Sequence, residues 1–316
     1  MSKYLERIFS VKNGQGCKVV TVAGIQKKFP WKPESYPMRL GRWYEGCMGE
    51  PLNLETPLTF SEKIQWLKLH ASTPLKTRLA DKYQVRDFVR EKIGEQYLVP
   101  LLGVYNHFDE IDFEQLPEKF VMKANHGCGY NVIVRDRSTF DRAAAREKFK
   151  RWLDTDFAFS AGLELHYHGI SPRRIIIEQY LENFSGDLWD FKIWCFGGRA
   201  KFIQLHSERA RKLKIAFYDT SWRKQDFSCG YPMDEKTVER PENLDEMLRL
   251  AERLSEGFCY VRVDFYRLNS GALKFGEMTF TPASGAYRWS DPAINRMMGD
   301  WMDLSKEETA EIGRLL

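Results

Sequence analysis

Val261-Arg-Val-Asp-Phe265 and Phe275-Gly-Glu-Met-Thr-Phe280 are two apolar stretches, each carrying one acid, separated by the turn-like Leu268-Asn-Ser-Gly271. Both flanks read as strands, and Asn269-Ser270-Gly271 supplies the turn, so the spacing predicts a β-hairpin with Asp264 and Glu277 side by side. Adjacent carboxylates repel unless a cation lies between them. Mg²⁺ held by one or two carboxylates plus substrate phosphates is the usual arrangement in sites that use ATP. The alternative is a pair of acids on the solvated face of a hairpin.

A second stretch favours the site. Lys119-Phe-Val-Met-Lys-Ala-Asn-His-Gly-Cys-Gly-Tyr-Asn-Val-Ile-Val134 reads as a strand ending at Lys123, a loop with Gly127 and Gly129, and a return strand from Asn131. Glycines let backbone N–H groups approach an anion, and a lysine at the strand end adds a point charge for phosphate. A Walker loop places its lysine after the glycines, and no G-x-G-x-x-G is present. Together the two motifs describe a nucleotide between a phosphate-covering loop and a metal-binding hairpin.

The 316 residues suffice for one large or several smaller domains, with a net charge of only +4. No run of about eighteen apolar residues occurs, and the charged start, Met1-Ser-Lys-Tyr-Leu-Glu-Arg7, does not suit a signal peptide. The expectation is a cytoplasmic protein with no transmembrane segment. Six cysteines show no zinc spacing and read as free thiols, with Cys128 a small filler in the glycine loop. Basic residues cluster at Arg209, Arg211, Lys212 and Lys214, which suits an anionic small molecule or glycan; no nucleic-acid module accompanies them.

Prolines at 30, 33, 37, 51 and 57 make residues 1–60 read as an irregular N-terminal cap. Thr59 to Leu69 reads as a capped helix, Leu79 to Ile93 as a second helix with Asp81-Lys82 in its first turn, and Thr139 to Leu153 as a third. Strands are expected at Tyr97–Tyr105, Arg174–Leu181, and Trp189–Phe196 with Ala200–Leu205, the last two joined at Gly197-Gly198; a helix at Asn243–Glu256 precedes the carboxylate hairpin. Neighbouring antiparallel pairs interleaved with helices argue an α+β fold. The expected divisions are 1–60, 61–117, 118–181 and 182–316.

The order of these stretches resembles the ATP-grasp superfamily, and Thr59-Phe-Ser-Glu-Lys63, Leu79-Ala-Asp-Lys-Tyr83, Lys123-Ala-Asn-His-Gly127 and Gly276-Glu-Met-Thr-Phe-Thr-Pro282 resemble its TupA-like branch, linked to teichuronopeptide and surface polysaccharide biosynthesis. The resemblance covers roughly residues 55 to 300. It implies two α+β lobes holding ATP between antiparallel sheets, the small lobe over 118–181 and the large one over 182–316. By comparison with ligases resembling D-alanine:D-alanine ligases, Lys82 and Lys123 contact phosphates and the Gly127–Gly129 loop closes over them, with His126 touching substrate or bracing the loop. Glu178 and backbone groups of Gln179 and Leu181 read adenine, and Asp190 holds the ribose. Arg262 neutralises an acyl phosphate, and Asp264 and Glu277 hold Mg²⁺. Thr279 stands where the family has a third ligand, an asparagine, so a bridging water replaces a direct bond. Ser284 and Gly285 offer backbone N–H groups to an oxyanion. Lys192 is preferred over Lys212 and Lys214 for the γ-phosphate because it shares a strand face with Asp190.

The implied chemistry is carboxylate activation by ATP followed by amide formation with an amine, on a uronic acid or other carboxylate of a capsule, O-antigen or wall-polymer precursor. A glycosyltransferase or a sugar kinase is the alternative. Asp154-Thr-Asp156 supplies a D-x-D, but at a helix end, where it reads as surface charge. His166, His168 and His206 read as structural or exposed, His206 also as a candidate for acceptor contact.

Overall fold

The computed structural model describes residues 9–14, 17–22, 25–30, 35–160, 162–181, 189–207 and 213–310. The turn expected at 183–187, Pro33, and Arg209, Arg211 and Lys212 lie outside the described residues.

The N-terminal stretch departs from the expected irregular cap. β1 (Phe9–Gly14), β2 (Cys17–Val22) and β3 (Ile25–Pro30) form an antiparallel sheet, and a helix follows at Tyr36–Met48. The prolines are boundaries rather than breakers: Pro30 ends β3, and Pro37 sits in the first helical turn, where a missing N–H costs nothing. Helix Phe60–His70 starts as expected, with Thr59 Oγ1 accepting from the Glu62 N–H at 3.3 Å and Glu62 Oε2 accepting from the Thr59 N–H at 2.9 Å. The second expected helix is two, Pro74–Ala80 and Val85–Lys92. Asp81 causes the break, because its Oδ1 accepts from the N–H groups of Tyr83 at 2.8 Å and Gln84 at 3.2 Å.

β4 (Leu101–Tyr105), β5 (Phe120–Ala124), β6 (Asn131–Val134) and β7 (Ile175–Gln179) make an antiparallel sheet in the order β4-β7-β5-β6. One face packs on helix Arg142–Asp154, with Phe120, Met122, Ile175 and Ile177 against Ala145 and Phe149. Lys123 is on the other face, one residue out of phase with Met122.

A third antiparallel sheet has the order β10-β9-β8-β11-β12, from β8 (Trp189–Phe196), β9 (Arg199–Ser207), β10 (Lys214–Asp219), β11 (Tyr260–Arg267) and β12 (Leu273–Thr279). Phe191, Ile193, Val261 and Val263 lie against helix Leu244–Ser255, through Met247, Leu250 and Leu254. On the opposite face Trp194, Phe196 and Tyr260 pack on Phe60, Ile64 and Met298, the last from helix Pro292–Asp300. Three antiparallel sheets with helices bear out the α+β reading. Among the described residues no helix is long and apolar enough to cross a membrane.

Candidate functional site

The hairpin forms as its sequence requires. Asp264 on β11 faces Glu277 on β12, and Arg262 faces Thr279. Immediately beyond, the register moves from Asp264↔Glu277 to Phe265↔Phe275, so Gly276 is the extra residue of a bulge. A Cβ on Gly276 would lie 3.2 Å from the Asp264 carbonyl oxygen, which explains glycine at this position. The bulge lets Phe275 join Phe265 in the core while Glu277 stays beside Asp264.

The cation that neighbouring carboxylates demand is present, supplied by the chain itself. Arg262 Nε donates to Asp264 Oδ1 at 2.7 Å, and its Nη2 donates to Asp264 Oδ2 at 2.8 Å, Thr279 Oγ1 at 3.0 Å and Glu277 Oε1 at 3.2 Å. Lys192 donates to Asp264 Oδ2 and pairs with Asp190 at 2.9 Å. Burial alone would lower the Arg262 pKa, but the Asp264 carboxylate, with Glu277, outweighs it and holds the guanidinium well above its ordinary value. The Asp264 side chain is 2% exposed and that of Glu277 38%, so only the second opens freely to solvent.

A cleft of about 220 Å³ joins this hairpin to the four-stranded sheet, and Lys82, Lys123, Gly129, Glu178, Asp190, Lys192, Asp264 and Glu277 all line it. Lys82 reaches it from the Asp81 break, where its N–H donates to the Asn125 carbonyl at 2.8 Å and its Nζ to the Gly127 carbonyl. Burial lowers its pKa, partly offset by Glu277. Asp81 also accepts from Asn125 Nδ2 at 2.9 Å, fixing the base of the glycine loop. Gly127 has φ 79°, and a Cβ there would meet the Phe157 ring at 2.9 Å, so only glycine fits without displacement. Lys123 Nζ pairs with Glu178 Oε2 at 2.6 Å.

Several expected contacts are not as the sequence suggested. Of the two roles expected of His126, bracing the loop is the one found and substrate contact is not: its Nε2 lies within 2.9 Å of the Trp152 carbonyl and 3.2 Å of that of Thr155. The Gln179 N–H is occupied by the Pro100 carbonyl at 2.9 Å and is not available to a base edge; Leu181 lies just beyond β7. The Ser284 N–H donates to the Thr281 carbonyl at 2.9 Å and is no oxyanion donor. Ala283, Ser284 and Gly285 run at φ 48°, 53° and 71°, a left-handed turn that directs this loop onto helix Phe60–His70. There Lys68 Nζ donates to the Ser284 carbonyl at 2.7 Å and Gln65 Nε2 to that of Gly285 at 3.3 Å. Asp156 of the D-x-D pairs with His168 at 2.8 Å and Arg173 at 3.4 Å, both within the protein.

Sequence reasoning missed Arg86, which lines the cleft and pairs with Glu178 Oε1 at 3.3 Å. Its spacing four residues after Lys82 was the available signal. Leu98, Tyr266 and Phe275 add apolar walls. Asp264, Glu277 and Thr279 are hard oxygen donors of the kind Mg²⁺ takes, and two carboxylates with substrate phosphates and water suffice for that ion. No group of three or more His, Cys, Asp or Glu is arranged for a metal among the described residues. The donor set therefore fits a metal shared with a phosphate ligand.

No curated protein matches the chain. Among solved structures, N5-carboxyaminoimidazole synthetase from Staphylococcus aureus is similar at 12% identity over 74% of this chain and 53% of that one, with a TM-score of 0.44. D-alanine–D-alanine ligase from Bacillus anthracis is similar at 17% identity over 64% of this chain and 57% of that one, with a TM-score of 0.34. The chain thus spans about half the length of the solved structures it matches. The TupA-like ATP-grasp family model matches residues 62–303, most of the chain and both sheets around the cleft, and this protein belongs to that family.

Proposed function

We propose that this chain is an ATP-dependent carboxylate–amine ligase, acting in the cytoplasm on a uronic acid or other carboxylate of a capsule, O-antigen or wall-polymer precursor. One observation carries the reading: three lysines, Lys82, Lys123 and Lys192, and the carboxylate pair Asp264 and Glu277 line a single cleft between two antiparallel sheets. Such a cleft can hold a triphosphate at one wall and, through Asp264 and Glu277 with a water at Thr279, Mg²⁺ at the other. Mg²⁺, when bound, offsets the charge of the phosphates.

In the reaction a substrate carboxylate oxygen attacks the γ-phosphorus, the bond to the β–γ bridging oxygen breaks, and ADP leaves. An amine nitrogen then attacks the acyl carbon; phosphate departs with the C–O electron pair, and the surplus amine proton passes to phosphate or water. Lys82, Lys123 and Lys192 orient phosphates, and the Gly127–Gly129 loop excludes water from them. Glu178, the Gln179 carbonyl and Leu181 read adenine, and Asp190 holds the ribose hydroxyls. Arg262 neutralises the acyl phosphate and the adduct oxygen, for which its guanidinium exchanges part of its hold on Glu277.

The test is ADP release with MgATP across a panel of uronic acids and amino acids, with mass analysis of the product. Asp264→Asn and Glu277→Gln are each expected to lower stimulated ADP release by at least about a hundredfold without unfolding the protein. Unchanged turnover in both would refute the assignment.

A further inference from the structure

We propose that Arg86 is a positioning residue that keeps the Glu178 carboxylate in place while Lys123 leaves it for a nucleotide phosphate. The inference rests on the nucleotide reading above and assigns a role to a residue that reading does not use.

Glu178 is nearly out of water, and each of its oxygens faces one cation: Oε1 faces Arg86 Nη1 at 3.3 Å, and Oε2 faces Lys123 Nζ at 2.6 Å. The two cations are anchored differently. Arg86 Nη2 also donates to the buried Val99 carbonyl at 2.9 Å, so the planar fork is pinned at two points. Lys123 is a single point charge on a flexible stem at the end of β5, in the same cleft as Lys82 and Lys192. A polyphosphate entering that cleft competes with Glu178 for the Lys123 ammonium.

The exchange is feasible only if Glu178 keeps a counter-charge, because a buried carboxylate stripped of its cations is strongly disfavoured. Arg86 is that counter-charge. Without it, Glu178 holds Lys123 as its remaining cation from this pair, and phosphate binding must break that contact. An opposing substitution follows: removing the Glu178 charge releases Lys123 and relieves the loss of Arg86. A side chain that only packs the helix would show no such coupling.

Calorimetric titration of the full chain with inorganic tripolyphosphate and with ATP, both with Mg²⁺, tests this. Arg86→Ala is expected to weaken tripolyphosphate binding about tenfold. Adding Glu178→Gln to that variant is expected to return the affinity to within about threefold of the wild type. Arg86→Gln, which keeps most of the stem, replaces the alanine variant if the latter fails to fold. Undiminished binding in the Arg86 variant overturns the proposal, and so does a loss that Glu178→Gln leaves uncorrected. Wild-type protein that binds neither ligand removes the nucleotide reading itself, and the role of Arg86 with it.

Discussion

Asp190 and Lys192 occupy the same face of β8 as Trp194 and Phe196, yet the first two line a polar cleft and the second two lie in an aromatic cluster beneath helix Phe60–His70. A strand period of two places all four on one face. What separates them is the layer above: the glycine loop and its lysines over one half, Phe60 and Ile64 over the other. The halves are stabilised by different means. In the cleft half, charges are compensated laterally, Lys192 by Asp190 and Asp264, and Asp264 again by Arg262. In the aromatic half, Trp194 meets Phe60 at 5.5 Å and Tyr260 at 5.8 Å between ring centroids, and area removed from water supplies the stability. One strand therefore has one end stabilised by packing and the other by charge pairing.

The sharpest way to break this division is Trp194→Ala. It should cost about 3–5 kcal/mol in urea unfolding, because a fully buried ring leaves a cavity. At a temperature where the variant is folded, ADP affinity should change by less than about threefold. A fall in affinity on the scale of the stability loss would show that the two halves are one unit.

Lys192→Met attacks the other half. Asp264 keeps Arg262 but the buried Asp190 loses the Lys192 ammonium, so the unfolding free energy should fall by about 3 kcal/mol, while ATP turnover should drop at least about tenfold. Steady-state ADP release read beside urea unfolding checks both. Turnover retained in the variant would take Lys192 out of the phosphate site, and a stability loss below about 1 kcal/mol would mean that the ion pairs of β8 contribute little.

These contrasts also explain what could be read from the sequence. The hairpin, the Lys123 strand, the Asp190–Lys192 face and the Thr59 cap each follow from a local rule of period, turn or cap, and the structure shows each of them. What escaped notice depends on residues distant in sequence. Arg86 matters only once Glu178, on another element, is beside it, and the turn that occupies the Ser284 N–H with the Thr281 carbonyl is held by Lys68 and Gln65, more than two hundred residues away. The Gly276 bulge and the Asp81 break are local and leave signals in the sequence, a glycine within a strand and an aspartate within a helical pattern. The N-terminal sheet is obscured in the sequence because Pro30, which ends its last strand, heads a proline-rich stretch.

The comparison extends to His166, where a titratable group meets the aromatic solution instead of the ionic one. Its ring lies 5.8 Å from that of Phe280 and 4.5 Å from that of Tyr167. Burial, with Lys76 and Lys68 adding to it, lowers its pKa from 6.5 to about 3. The folded protein thus keeps a neutral imidazole down to about pH 3, while the unfolded chain takes up a proton below 6.5. The unfolded state binds more protons in that window, so the stability this residue provides is complete above pH 6.5 and erodes as the pH falls toward 3. Its limiting slope is about 1.4 kcal/mol per pH unit. Urea unfolding of wild type and His166→Leu at pH 7.0, 6.0 and 5.0, values chosen to span about half of that window, should show the shallower decline in the variant. Parallel curves would mean that the folded protein takes up the His166 proton at the same pH as the unfolded chain, so that the cost of burying it is compensated by a polar partner, as in the cleft.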